Sequence, residues 1–267
     1  MANIQLTAAM RSNLLSLQNT QKLMNQTQNR LSTGLKVNSA IDNPSSYFTA
    51  LGLNQRAGDL SDLLDSMGQG IQTIKAANEG IQSITTLAQQ AKSIASQIAD
   101  GGDVAKLGQQ YSDVLDQIDS LAKDASYKGV NLLDSGSLTI KFNESTTTPS
   151  SLTIGGVDAS STGIGMTAAT GITDAATAAT AADAATDAIN KLRGFASDFG
   201  NNYAIVQARQ DFTQNLINVL TEGADSLTLA DMNEESANML ALQTRQQLGV
   251  NSLSLASQAA QSVLKLF

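Results

Sequence analysis

Met10, Leu17, Met24 and Leu31 recur at a strict interval of seven residues, and Leu6, Leu14 and Leu15 broaden the upper part of that stripe. An apolar repeat of seven marks a helix that packs in coiled-coil fashion. The spacing predicts a helix from about Asn3 to Gly34. Thr20, Gln21, Thr27 and Gln28 dilute the stripe, so one isolated helix would be weak. The same interval returns in Leu60, Met67, Ile74, Ile81 and Ala88, with Leu64 and Ile71 in companion positions, inside a long helix from about Ser45 to Asp100. After Ile81 its stripe moves to Ile84, Leu87, Ala91, Ile94 and Ile98.

Punctuation supports these bounds. Gly34 suits a C-terminal cap, Asn43 an N-cap, and Pro44 the first helical position, where its missing N–H costs nothing. Gly101-Gly102-Asp103 is a short link to a third helix, from about Asp103 to Ser126, that folds back antiparallel on the second. Val104, Leu107, Tyr111, Val114, Ile118, Leu121 and Ala125 mark its buried side.

The pattern changes after Gly129. Leu138, Ile140 and Phe142 alternate with polar residues, as do Leu152 and Ile154, which predicts a β-hairpin. From Gly155 to Gly171 the chain reads as irregular and exposed, and the Ala/Thr tract 175–185 reads as flexible or as the start of the next helix. A fourth helix is expected from about Thr186 to Thr221, broken by Gly223 and Ser226. The last runs from about Ala230 to Phe267, with Met232, Met239, Val250, Leu253, Ala260, Leu264 and Phe267 as its stripe. The fold class is therefore mainly α: a long antiparallel bundle or coiled coil formed by the N- and C-terminal regions, with a small central hairpin. Both terminal stripes need a partner. The polar interruptions in Met10–Leu31 favour burial between copies of the chain over an ordinary intramolecular face.

Composition narrows the chemistry. The chain is 42% hydrophobic but only 4% aromatic, so Ala, Leu, Ile and Val must carry the packing, which suits thin helical layers. It has no Cys and no His, which removes disulfides, thiolate and imidazole catalysis, and most zinc and copper sites. No P-loop, G-x-G-x-x-G or EF-hand spacing is present, and no enzyme activity, cofactor or metal is expected. The net charge of −8 disfavours nucleic acid as a partner. Residues 1–40 nevertheless hold Arg11, Lys22, Arg30 and Lys36 and no acid, either by coincidence or because repeated carboxylates would repel in a stacked core. No apolar run approaches the ~20 residues of a membrane span. The start lacks the pattern of a cleaved signal, which leaves export by another route open.

Residues 30–44 read Arg30-Leu31-Ser32-Thr33-Gly34-Leu35-Lys36-Val37-Asn38-Ser39-Ala40-Ile41-Asp42-Asn43-Pro44. This run closely resembles the N-terminal conserved region of bacterial flagellins, R-L-S-S/T-G-x-K/R-I/V-N-S-A-x-D-D/N. Tyr127-Lys128-Gly129-Val130-Asn131-Leu132-Leu133 resembles the turn after the family's third helix, and residues 258–267 resemble its C-terminal motif. The likeness covers roughly 1–133 and 186–267. Asn43-Pro44 departs from the usual acidic residue and Ala, and leans towards the related hook–filament junction protein.

The resemblance implies a subunit that self-assembles into the extracellular flagellar filament. It implies export unfolded through the type III apparatus and partners that are an export chaperone, the filament cap and hook-junction proteins. It places 1–43 and 226–267 in the filament core, 44–134 and 186–225 in a helical spoke and outer layer, and 135–185 in a variable insertion of hairpin and Ser/Thr/Ala-rich loop. The small insertion implies a thin filament. Subunit contacts are expected from Leu6, Met10, Leu14, Leu17, Met24, Leu31, Val250, Leu253, Ala260, Leu264 and Phe267. Flagellins detected by the vertebrate Toll-like receptor five carry an Arg, a Leu and a Glu on a face of the second and third helices. The matching positions here are Ser83, Leu87 and Gln110, so weak recognition is expected. Ser and Thr in 145–151 and 158–170 read as solvated loop rather than sugar acceptors.

Overall fold

The computed structural model describes residues 8–166 and 172–264. In chain order the elements are α1 (Ala8–Thr33), α2 (Pro44–Ala99), α3 (Val104–Asp124), β1 (Ser126–Tyr127), β2 (Val130–Asn131), β3 (Ser137–Lys141), β4 (Ser151–Gly155), α4 (Ser161–Ile164), α5 (Ala175–Thr228) and α6 (Met232–Leu264). Two compact units result: a terminal unit of Met1–Gln55 with Val219–Phe267, and a central unit of Arg56–Asn218.

In the central unit the stripe of α2 is buried as the spacing predicts, with Met67, Ile74, Ile81, Ile84, Ala88, Ala91 and Ile98 in the core. Its helix ends where Gly101 takes φ +97° and Gly102 N–H donates to Gln97 O at 2.9 Å. Asp103 then caps α3, its carboxylate accepting from the N–H groups of Ala105 and Lys106. Tyr111, Val114 and Ile118 are buried as expected, joined by Leu115 and Ala122. The chain leaves α3 through a tight hairpin in which Lys128 and Gly129 both adopt positive φ, 49° and 80°. That is the backbone a two-residue turn between right-twisted strands requires. Asn131 Nδ2 donates to the last carbonyls of α3, Ala122 O and Lys123 O, and its Oδ1 accepts from Leu133 N–H. Leu132 and Leu133 are thereby turned into the core.

Gly80 on α2 sits beneath this turn: a Cβ there would lie 2.6 Å from Leu133 Cδ1 and 3.0 Å from Ala125 Cβ. Overpacking at such a site costs about 1–3 kcal/mol. Gly80→Val is expected to lower the urea midpoint of the central unit accordingly, and an unchanged midpoint would contradict this packing. Tyr111 presents the opposite case. Its hydroxyl is buried without a hydrogen-bond partner among the described residues, and burial pushes the phenol up to about 12. Tyr111→Phe removes an unsatisfied group and is expected to raise unfolding free energy by about 1 kcal/mol in the same measurement.

β3 and β4 pair antiparallel, with Leu138 opposite Ile154 and Ile140 opposite Leu152. Ile140, Ile154 and Phe142 face the core, as the alternation predicts. The following segment differs from its expected irregular, exposed state. Asp158 bridges to Asp134, Ala159, Ile164 and Met166 are buried, and α4 forms a short turn capped by Ser160. A few apolar residues among Ser, Thr and Gly are enough to anchor it, because the backbone of 156–159 hydrogen-bonds to residues 132–136.

The fourth predicted helix starts too late and ends too early. α5 begins at Ala175, so the Ala/Thr tract is helix rather than loop. Asp174 and Thr177 cap it reciprocally: Thr177 N–H donates to Asp174 Oδ1 at 2.8 Å, and Asp174 N–H to Thr177 Oγ1 at 3.0 Å. Those Thr177 bonds hold the Asp174 carboxyl below the usual carboxylate range. Ala178, Ala181, Ala185 and Ala188 form a fully buried seam of small side chains. Gly223 does not break the helix either; it lies against Leu53, 3.5 Å from where its Cβ would be, and Ala224 beside it is buried.

Candidate assembly surface

The terminal unit is built on α1 and α6. Neither has a breaker in its first turns, and Gly34 at φ +72° stops α1, its N–H donating to Arg30 O at 2.8 Å. Three contacts give the register of the pair. Arg30 Nη1 meets Glu235 Oε1 at 2.8 Å, Gln246 Nε2 donates to Gln21 Oε1 at 2.8 Å, and Leu17 lies over Gly249, its Cδ2 2.7 Å from an added Cβ. Partner numbers rise along one helix as they fall along the other, so the pair is antiparallel.

Buried and half-buried positions then follow one pattern. On α1 they are Met10, Asn13, Leu17, Thr20, Met24, Thr27 and Leu31; on α6 they are Glu235, Met239, Leu242, Gln246, Gly249, Leu253 and Ala256. Steps of three and four alternate without a break, as in a coiled-coil seam. The seam mixes Met and Leu with Thr, Asn and Gln, so its apolar area is modest. Thr20 satisfies its hydroxyl on Ser16 O at 2.9 Å.

Met10, Leu17, Met24 and Leu31, named above as expected subunit contacts, lie on this seam. They face α6 of the same chain, and Met10 retains only 6% exposure. Leu253 is likewise half-buried on the α6 side of the seam. The interruptions that made the stripe look too weak for an intramolecular face are matched by polar residues and a glycine opposite. Leu14 and Val250 are exposed. Leu6 and Phe267 lie outside the described residues, as do the side chains of Ala260 and Leu264. Other exposed leucines of the pair were not among the expected contacts: Leu23, Leu240, Leu248 and Leu255, the last two 64% and 67% exposed, and Leu15, which was assigned only to the stripe. The signal available was their place beside the seven-residue repeat rather than on it.

Residues 30–44 form the junction between α1 and α2, and nearly every polar member has an intramolecular partner. Lys36 and Val37 N–H groups both donate to Thr228 O, and Ala230 N–H returns a bond to Gly34 O at 2.9 Å. Lys36 Nζ donates to Ser226 O at 3.3 Å. Asp42 Oδ2 accepts from the N–H groups of Ser39 and Asn38 and from Ser39 Oγ. The Ser39 and Asn38 N–H groups hold that carboxyl below its ordinary range. Asn43 Oδ1 caps α2 by accepting from Ser46 N–H at 3.1 Å, with Pro44 in the first turn. Lys36, Asp42, Asn43 and Ser226, with Arg30, Asp231, Glu234 and Glu235, line a cleft of about 460 Å³. Glu235 is buried, and its Oε2 has no hydrogen-bond partner among the described residues.

In the central unit, Ser83 and Leu87 stand one helical turn apart on α2, Ser83 exposed and Leu87 half-buried. Gln110, exposed on α3, lines a groove with Gln90, Ser93 and Gln97 of α2. Ser83, Leu87 and Gln110 are themselves uncharged, and Asp113 of α3 also lines the groove. Among the described residues no cluster of three or more acidic side chains is placed to hold a metal, and no helix is long and apolar enough to cross a membrane.

Known proteins resemble this chain over most of its length. The model of the bacterial flagellin N-terminal helical region matches residues 4–137, and that of the C-terminal helical region matches 182–267. The flagellin FljM of Caulobacter vibrioides is 33% identical, with 95% of each chain covered. A flagellin of Brucella melitensis is 28% identical over 100% of this chain and 99% of its own. Among solved structures, a Bacillus cereus flagellin aligns with a TM-score of 0.48 at 18% identity, covering 54% of this chain and 86% of that one. The matched regions take in α1–α3 and nearly all of α5 and α6, and on that ground the chain belongs to the bacterial flagellin family, the structural subunits of the extracellular flagellar filament.

Proposed function

We propose that the α1–α6 pair is the element through which copies of this chain polymerise, with its outward leucines as the contact residues. The carrying observation is the contrast between a satisfied polar-apolar seam and an outer face that leaves Leu15, Leu240, Leu248 and Leu255 in water. Such a face is costly for a solitary molecule and is removed from water when many copies bundle. In this reading 1–43 and 226–267 form the innermost layer, 44–134 and 186–225 the layer around it, and the hairpin region the outermost part, with 175–185 joined to α5. Met10, Leu17, Met24, Leu31 and Leu253 act by holding the pair together. Leu6, Ala260, Leu264 and Phe267 extend the same contacts.

Export as an unfolded chain by the type III route, with a dedicated chaperone and a cap and junction proteins at the two ends of the polymer, completes the proposal. A chain without Cys suits threading, since no crosslink can form. The junction-protein alternative rested on Pro44, and that residue is accounted for by its place in the first turn of α2.

Electron microscopy of the purified protein, salted out onto sheared seeds, tests the reading. Long filaments are expected from the intact chain and none from a chain cut after Gly249. Equal growth of both would end the proposal. The uncharged side chains of Ser83 and Gln110 carry a separate expectation. Absence of both charged contacts should cost roughly 2–5 kcal/mol at an interface of that kind. Response of Toll-like receptor five reporter cells is therefore expected at least tenfold below that to a flagellin carrying the Arg and the Glu. Equal potency would contradict it.

A further inference from the structure

The terminal unit is electrically polarised along its length. Its carboxylates, Asp42, Glu222, Asp225, Asp231, Glu234 and Glu235, all lie at or beside the junction of α1 with α2 and of α5 with α6. The cations further along the helix pair, Arg11, Lys22 and Arg245, are exposed, and none meets a carboxylate among the described residues. At 1.5 Å per residue, Arg11 lies roughly 28 Å from Arg30 along α1. Lys22 and Arg245 share one level of the pair, next to the Gln21–Gln246 contact.

The acidic end also holds an unfilled position. Glu235 keeps only 8% of its side chain exposed, and Arg30 satisfies Oε1 alone. Its Oε2 is buried with no hydrogen-bond partner among the described residues, at the wall of the 460 Å³ cleft beside Asp231 and Glu234; Lys36, the cleft's other cation, donates its Nζ to Ser226 O. A buried carboxylate oxygen attracts a charge-assisted donor, and burial makes the missing bond costly.

We propose that this cleft receives a basic side chain from a second copy of the chain, drawn from Arg11, Lys22 and Arg245, in a head-to-tail contact between terminal units. The occupant is another copy because the two charge sets are complementary and lie roughly 12–28 Å apart along the helix pair, beyond contact distance within one unit. A contact between two different patches of the same molecule is heterologous and propagates, as a filament requires. The inference rests on the filament reading and adds to it the charged contact that sets the register of successive subunits. Exposed leucines alone leave sliding along the helix axis weakly opposed, whereas a lone buried acceptor fixes one position.

Seeded elongation of the full chain, followed by light scattering across a sodium chloride series, tests it. Glu235→Gln and Glu234→Lys are each expected to slow elongation about tenfold at low salt and to flatten its salt dependence, since steering by charge acts on association rates. At the other end, Arg11→Glu, Lys22→Glu and Arg245→Glu are surface changes that leave the cleft intact. One of them is expected to slow elongation equally, and to restore growth when combined with Glu234→Lys. Restoration of a mismatched pair is not produced by misfolding, so it separates contact from damage. If both cleft variants and all three reversals elongate like the wild type, the charged contact is wrong while the filament reading stands. If elongation slows in the cleft variants but no reversal slows it or rescues Glu234→Lys, the cleft takes a cation from elsewhere and the head-to-tail assignment is overturned. If the unaltered chain does not elongate, the filament reading itself falls.

Discussion

Replacing Leu248 and Leu255 together by Ser is expected to raise the critical concentration for polymerisation about a hundredfold while leaving the monomer's fold untouched. Both side chains are about two-thirds exposed, at 64% and 67%. They precede the α6 seam positions Gly249 and Ala256 by one residue each, without entering the seam. Surface changes of that kind usually alter stability by less than about 0.5 kcal/mol. In the polymer, full burial of a leucine is worth roughly 1.5–3 kcal/mol. Taking about two-thirds of that for each side chain, because the rest is already covered, the pair loses roughly 2–4 kcal/mol, centred near 3. Each ~1.4 kcal/mol is tenfold in an equilibrium constant, which gives the stated factor. Sedimentation of polymer from a dilution series measures it, with circular dichroism of the monomer as the control. Normal polymerisation of the double variant would remove the outer leucine face from the account of assembly. The matched pair Leu17→Ser and Leu242→Ser is the contrast, since those residues line the seam and their loss should loosen the monomer itself.

Removing Arg30 is the second large effect. Its guanidinium pairs with Glu235 at 2.8 Å, and the two side chains are 32% and 8% exposed. Arg30→Ala leaves a buried carboxylate with neither oxygen bonded. Losing one partner of a fully buried pair costs about 3–5 kcal/mol. Arg30 is a third exposed and water can enter where it stood, so about 2–3 kcal/mol is the expected loss for the terminal unit. Amide exchange along the α1–α6 seam reads this directly, because the seam opens as that unit loses stability. The double change Arg30→Ala with Glu235→Ala should recover most of the loss, since it removes the stranded charge along with its partner. If the single and double variants are equally destabilised, the ion pair is not what holds this end of the seam. Arg30→Lys is expected to fall between, as an ammonium supplies the charge without the planar fork.

Much of the architecture is legible before any coordinates. The seven-residue stripes of α1 and α2 lie on buried faces, and the caps at Gly34, Asn43 and Asp103 sit within a residue or two of their predicted places. The hairpin follows from the alternation around Ile140 and Ile154. The motif 30–44 was recognisable as a family mark, but its reason was not. Only the structure shows Asp42 gathering the Asn38 and Ser39 amides, and Arg30 reaching a glutamate far along the chain. The Ala/Thr tract was ambiguous because Ala and Thr pull in opposite directions as helix formers. Its outcome depends on a partner face for Ala178, Ala181 and Ala185, which lies far away in sequence. The segment after Gly155 was misjudged for a similar reason. Ile164 and Met166 are too sparse to form a pattern, yet each fills a place in a core built by other elements.

What the chain's order of residues determines by itself is periodicity, punctuation and charge placement: long helices, where they stop, no Cys or His chemistry, and acids kept out of the first forty residues. Tertiary structure alone decides which partner each stripe meets. A repeat of seven says that a helix has a seam, and it says the same whether the opposing helix belongs to its own chain or to another copy. Burial is a property of pairs of surfaces, so Met10 and Leu248, similar as residues, part company only when α6 is laid against α1 and covers one of them.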